Sequence, residues 1–148
     1  MREPGHRPGA RWAAALGVLS VVAAACATPY RPLTLDGGYA NSRLNPNTFQ
    51  VVFQGNAHTT WKTAEAYALY RCAEVTVESG FDFFVVVGGN SDAALSHRGP
   101  TGYALTTSGH DGPPMVVVLF KTFKGQKPVG EVFDARDVLH ALGPSIKR

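Results

Sequence analysis

The chain has 148 residues, with 14 Lys and Arg against 11 Asp and Glu and an apolar fraction of 45%, which gives room for one small core and too little for two. Arg2, Arg7 and Arg11 against Glu3 fall within the first 25 residues, so the rest of the chain holds 11 basic and 10 acidic residues. That balance sets a nucleic-acid binder aside, since such proteins need a marked basic patch.

Residues 12–25 carry no charge and follow the basic stretch directly. A basic start, a short apolar run and a small-residue end form the pattern of a secretion signal. A spanning helix needs about 20 apolar residues, so residues 1–25 are expected to be a removed signal and not a permanent span. The run closes in Ala23-Ala24-Ala25-Cys26, which resembles the bacterial lipobox and makes Cys26 the expected site of lipidation. Ala23 stands where that motif most often has Leu, and the same three alanines also fit ordinary signal cleavage, the competing reading. Two or three acyl chains would make attachment effectively permanent. Ala27 follows the cysteine, where Asp favours inner-membrane retention in many Gram-negative bacteria. The expected location is therefore the outer membrane, facing the periplasm.

Residues 26–47 read as a tether, with Thr28-Pro29-Tyr30-Arg31-Pro32, Gly37-Gly38 and Asn45-Pro46-Asn47 breaking regular structure. A single domain is expected over 48–148. Residues 49–54 alternate apolar and polar and predict a strand. Thr60 is the expected cap of a helix over 61–78, with Gly80 as its stop. The spacing places Tyr67, Arg71, Glu74 and Glu78 on its polar face and Ala68, Leu69, Cys72, Val75 and Thr76 toward the core. Arg71 and Glu74, three apart, predict a surface pair worth a few tenths of a kcal/mol. Glu65 projects on the apolar side, where a bare carboxylate is costly. It reads as a ligand contact, or as a carboxylate satisfied by the helix N-terminus, by the loop before it or by Arg43. With Cys26 acylated, Cys72 has no partner in the chain and reads as a small core residue.

Residues 81–87 are almost continuously apolar and predict a central strand covered on both faces. Residues 88–114 form a long polar excursion, with a further strand at 103–107. Another strand follows at 115–123, and a short helix capped by Asp134 runs to Leu142 before Gly143-Pro144. The expected fold class is α+β: a small sheet of three to four strands, one main helix packed on it and a short C-terminal helix. If the first two strands are adjacent and parallel, their crossover should be right-handed.

No catalytic constellation, metal-ligand spacing or cofactor motif stands out, so no cofactor is expected. His97 and His110 lie in the 88–114 loop near Asp92 and Asp111, and with Glu65 and Arg71 they are the candidate binding residues. Lys121, Lys124 and Lys127 form a basic stretch that either meets anionic polymer or blunts an edge strand.

Several short elements together resemble a known family. They are Thr28-Pro29-Tyr30 after the lipid cysteine, Gly38-Tyr39, Arg43-Leu44, Asn47, and Phe53-x-Gly55-Asn56. Glu65-x-Tyr67-Ala68-Leu69-x-Arg71-x-Ala73-Glu74 and Gly80-Phe81 follow. On residues 26–88 the chain resembles an uncharacterised family of small proteobacterial lipoproteins typified by two Caulobacter envelope proteins. The resemblance implies lipid anchorage and an envelope location, and it carries no activity. The expected function is a non-enzymatic binding or structural module, anchored to the membrane through Cys26 and meeting an envelope protein or polymer. The alternative is a hydrolase or metal-dependent enzyme built on the 88–114 loop.

Overall fold

The alternation in residues 49–54 sets the sheet. In the computed structural model, which describes residues 26–89, 93–95, 105–107 and 112–148, Phe49, Val51 and Phe53 are buried and Gln54 is exposed. The elements in chain order are β1 (Gly38–Asn45), β2 (Thr48–Gln54), α1 (Trp61–Glu78), β3 (Phe83–Gly89), β4 (Ala93–Leu95), β5 (Leu105–Thr107), β6 (Met115–Phe123), β7 (Phe133–Asp134) and α2 (Ala135–Leu142). The main sheet is antiparallel throughout, in the order β1-β2-β6-β3-β7. Strands β4 and β5 form a separate antiparallel pair. The fold is therefore α+β, one five-stranded antiparallel sheet with two helices.

Five strands replace the expected three to four, and both additions lie at the sheet edges. Strand β1 is mostly polar and exposed from Asn41 onward, so it offers no alternation to read. Strand β7 has two residues, too short for any periodicity. Strands β2 and β3 are each antiparallel to β6, which lies between them. They run parallel to one another without being neighbours, so the adjacent crossover considered from sequence does not form. Strand β3 is flanked by β7 only at Phe83 and Phe84, and Val87 is 47% exposed. Its continuous apolar run is thus not covered on both faces. Lys121 sits on the central strand β6, which removes the edge-blunting reading of the basic stretch.

Helix α1 starts where expected. The Thr60 hydroxyl accepts from the Thr63 amide at 3.1 Å, satisfying one of the free N–H groups of the first turn. Gly80, at φ +83°, ends the helix in the left-handed conformation that glycine adopts without strain. Its inner face carries Ala64, Ala68, Cys72 and Ala73, all fully buried. These small side chains let the helix approach Phe53, Phe84 and Phe120, the largest fully buried side chains of the sheet. Asp134 caps α2 by accepting from the Arg136 and Asp137 amides, and Ala135 and Val138 are buried beneath it.

Tyr67 departs from its expected polar face and is 3% exposed. A two-layer picture of helix on sheet leaves that side of α1 in water. Here the chain before β1 and the C-terminal residues lie over it: Tyr30 meets the Tyr67 ring edge-on at 5.6 Å, and the Lys147 amide donates to its hydroxyl at 3.1 Å.

The expected tether of residues 26–47 is the largest correction, because most of it is built into the fold. Thr28 is 1% and Tyr30 is 4% exposed, and Gly38–Asn45 is a strand paired along its length with β2. Gly37 and Gly38 are close-approach positions and not flexible spacers. With φ of +99° and +132°, an added Cβ would stand 2.3 Å from the Gln54 carbonyl oxygen and 2.5 Å from that of Arg31.

Candidate functional site

The chain between Cys26 and β1, hereafter the N-terminal arm, organises the polar chemistry of the described residues. It is held at two points. At the first, the Thr28 amide donates to Thr59 Oγ1 at 2.9 Å, and Thr28 Oγ1 accepts from the Asn56 amide at 2.8 Å. The same hydroxyl donates to the Asp36 carbonyl at 3.2 Å. Asn56 completes the junction, accepting from Thr59 Oγ1 and the His58 amide at 3.0 Å each and donating from Nδ2 to the Cys26 carbonyl at 3.0 Å. Polar groups taken out of water are costly unless paired, and each of these has a partner.

The second point is Tyr30. Its amide donates to the Lys147 carbonyl at 2.7 Å. Its ring lies among three others, 4.7 Å from Tyr39, 5.6 Å from Tyr67 and 5.3 Å from Tyr70, the last two edge-on. Such tilted and edge-on contacts suit the charge distribution of aromatic rings. The phenol donates to Glu74. Burial, then the hydrogen bond and negative charge of Glu74, push the Tyr30 phenol well above its ordinary value.

Arg71 is the hub beside Glu74. Nε and Nη2 donate to Asn41 Oδ1 at 3.1 and 3.0 Å, Nη1 to Glu74 at 2.8 Å and to Glu78 at 3.0 Å, and Nη2 to Glu78 at 3.1 Å. A guanidinium has five N–H donors, so this one is saturated from within. It also lies over the Tyr39 ring, 4.7 Å from its centre, a favourable cation–π placement. Burial alone would lower the Arg71 pKa, but the bonds to Glu74 and Glu78 outweigh it and hold the group above its usual range. Arg148 adds a contact to Glu74 at 3.3 Å. The expected pair of Arg71 and Glu74 therefore exists, but with side chains only 12% and 16% exposed it is a half-buried network and not a surface pair.

The other candidate residues separate. Glu65 is half-buried in the second turn of α1, so it is not the first-turn carboxylate expected, and the Thr60 hydroxyl serves that end instead. Arg43 donates to the Asn45 and Pro46 carbonyls and lies over the Phe49 ring at 5.4 Å. His97, His110, Asp92 and Asp111 lie outside the described residues. Cys72 is fully buried, and desolvation pushes its thiol up, away from the reactive thiolate. Cys26 is exposed, and neither cysteine is in a disulfide.

Two open hollows flank Cys26 and Ala27. The larger, about 600 Å³, has walls from Pro29, Arg31, Leu35, Asn56 and Pro113. The smaller, about 390 Å³, is bounded by Thr63, Tyr67, Ser145 and Lys147. Among the described residues no cluster of His, Cys, Asp and Glu could hold a metal ion, and no helix is long and apolar enough to cross a membrane. The sequence singles out Arg71 with its pair Glu74, carries Tyr30 and Asn56 only as elements of the family resemblance, and gives no sign of Asn41 or Thr59. No family model, curated protein or solved structure matches the chain.

Proposed function

We propose that the protein is an envelope lipoprotein, acylated on Cys26 and displayed from a membrane as a non-enzymatic binding or structural module for an envelope protein or polymer. The observation that carries the reading is the position of Cys26. It is exposed, it directly follows an uncharged run with a small-residue end, and it stands two residues before the buried Thr28. A removed leader would leave the acylated residue at the edge of a finished domain. Arg71, which the sequence offers as a binding residue, supports a structural role, since it is engaged with Glu74, which also holds Tyr30 of the arm and Arg148. The resemblance to small proteobacterial lipoproteins points the same way, and Ala27 favours the outer membrane over the inner.

The test is the intact mass of the mature protein, together with palmitate labelling of wild type and Cys26→Ser. The expected result is an N-terminal acylated Cys26 in wild type and loss of label and of membrane association in the variant. A free, unmodified Cys26 thiol in membrane-processed protein would overturn the reading.

A further inference from the structure

A lipid anchor followed by a flexible leash lets a domain tumble above the bilayer, and residues 26–47 would span a long way if unstructured. The structure removes almost all of that slack. One residue, Ala27, separates Cys26 from Thr28, at most about 7 Å of chain. Cys26 itself is tied back through its carbonyl to Asn56, and Thr28 to Thr59 and Asp36.

The surface around this fixed point has a composition suited to lipid. The turn from Thr34 to Gly37 is closed by hydrogen bonds in both directions at 3.1 Å. It carries Leu35 at its tip, 104% exposed. Leu35 lines the same hollow as Cys26, with Pro113 and Ala57 beside it. Arg31 stands in the wall of that hollow with its side chain 39% exposed and one long contact of 3.4 Å to Asp36. A single exposed leucine is ordinary on a protein surface by itself. Next to an acyl anchor it has a ready apolar partner, and the neighbouring guanidinium is placed for lipid phosphate.

The opposite pole differs. Strand β6 begins beside Gly55, whose amide donates to the Pro114 carbonyl at 2.8 Å. It ends at Phe123, about 27 Å away at the usual rise of a strand. The loop beyond holds Lys124, Gln126 and Lys127, all exposed, and Val129, as exposed as Leu35.

We propose that the pole of the domain around Cys26 lies flush on the bilayer, with Leu35 seated at the boundary of headgroups and acyl chains and Arg31 at the phosphates. The Lys124–Val129 pole then faces away from the membrane. This rests on acylation of Cys26.

The experiment uses the full lipidated protein carrying Leu35→Cys or Val129→Cys, each labelled with an environment-sensitive fluorophore. Acylated Cys26 and buried Cys72 leave the new thiol as the labelling site. The protein is reconstituted into phosphatidylethanolamine–phosphatidylglycerol vesicles with and without doxyl-labelled lipid. The expected result is a blue-shifted emission quenched by doxyl lipid at position 35, and neither effect at position 129. Unshifted, unquenched emission at position 35 in protein whose mass includes the acyl groups would overturn the flush orientation and leave the anchor standing. A mass lacking acyl groups would bring down the anchor and the orientation together.

Discussion

The interface between the sheet and α1 and the seat of the N-terminal arm are held by different physics. Under α1 the contacts are apolar and come from regular spacing. Phe49, Val51 and Phe53 alternate on β2, Val116, Val118 and Phe120 on β6, and Ala64, Ala68 and Cys72 recur at helical intervals. The arm has no such period. Thr28 finds Asn56 and Thr59 across 28 and 31 residues, and Tyr30 finds Glu74 across 44. Burial without direction builds the first region and directional hydrogen bonds the second. The contrast implies that the interior should tolerate changes that keep volume, while the arm should fail on loss of single atoms.

The largest effect should come from the interior. Phe53→Ala removes a fully buried ring that packs edge-on against Tyr67 at 5.2 Å. It should cost about 3–5 kcal/mol in urea unfolding, enough to approach the whole stability of a domain this size. Phe53→Leu should cost well under half as much, and equal losses from the two variants would break the volume argument.

Next is the hub. Glu74→Ala leaves the Tyr30 phenol and the Arg71 guanidinium each short of an acceptor in a half-buried place, an expected loss of about 2–3 kcal/mol. Combined with Tyr30→Phe in a double-mutant cycle, it should show a coupling of about 1 kcal/mol. Strictly additive losses would mean that Glu74 serves Arg71 alone.

How much was legible in the sequence follows the same division. Helix α1 was bounded correctly by Thr60 and Gly80, and α2 by Asp134 and Gly143, because capping is local chemistry. The buried face of β2 follows from alternation, whereas β6 is legible only as a strand. The arm was mistaken for a tether because Pro29, Pro32, Gly37 and Gly38 signal irregular backbone. Irregular backbone can still be fixed when distant side chains satisfy it, and nothing in local spacing announces that Thr28 will meet Thr59. Tyr67 reads as solvent-facing for the same reason, since the layer over it is made by the arm and the C-terminal residues. From sequence Arg71 reads as a candidate binding residue paired with Glu74 on the surface. Its five hydrogen bonds go to Asn41, Glu74 and Glu78, and the Asn41 contacts are unreadable without the position of β1.

A smaller effect separates the arm's two attachments. Thr28→Val keeps shape and loses the hydroxyl that serves Asn56 and Asp36. It should cost about 1 kcal/mol and render the chain before β1 susceptible to limited proteolysis while α1 stays intact. Cleavage no faster than in wild type would show that Tyr30 alone seats the arm.

The smallest effect concerns alkaline pH. The Tyr30 phenol is raised in the folded protein by burial and by Glu74. Its contribution is therefore complete below the unfolded value of about 10 and is lost as pH rises beyond it toward the folded value. The urea midpoint should fall more steeply above about pH 10 in wild type than in Tyr30→Phe. Parallel curves would remove Tyr30 from the pH response.

Whether the arm belongs to the fold is measured directly by amide hydrogen exchange of the mature protein. The Thr28 and Tyr30 amides, donating to Thr59 Oγ1 and to the Lys147 carbonyl, should exchange at least about a hundredfold more slowly than an unstructured chain. Their protection should fall in Thr28→Val while that of β2 persists. Exchange of residues 28–31 at the unstructured rate in wild type would contradict the account and return this segment to a tether.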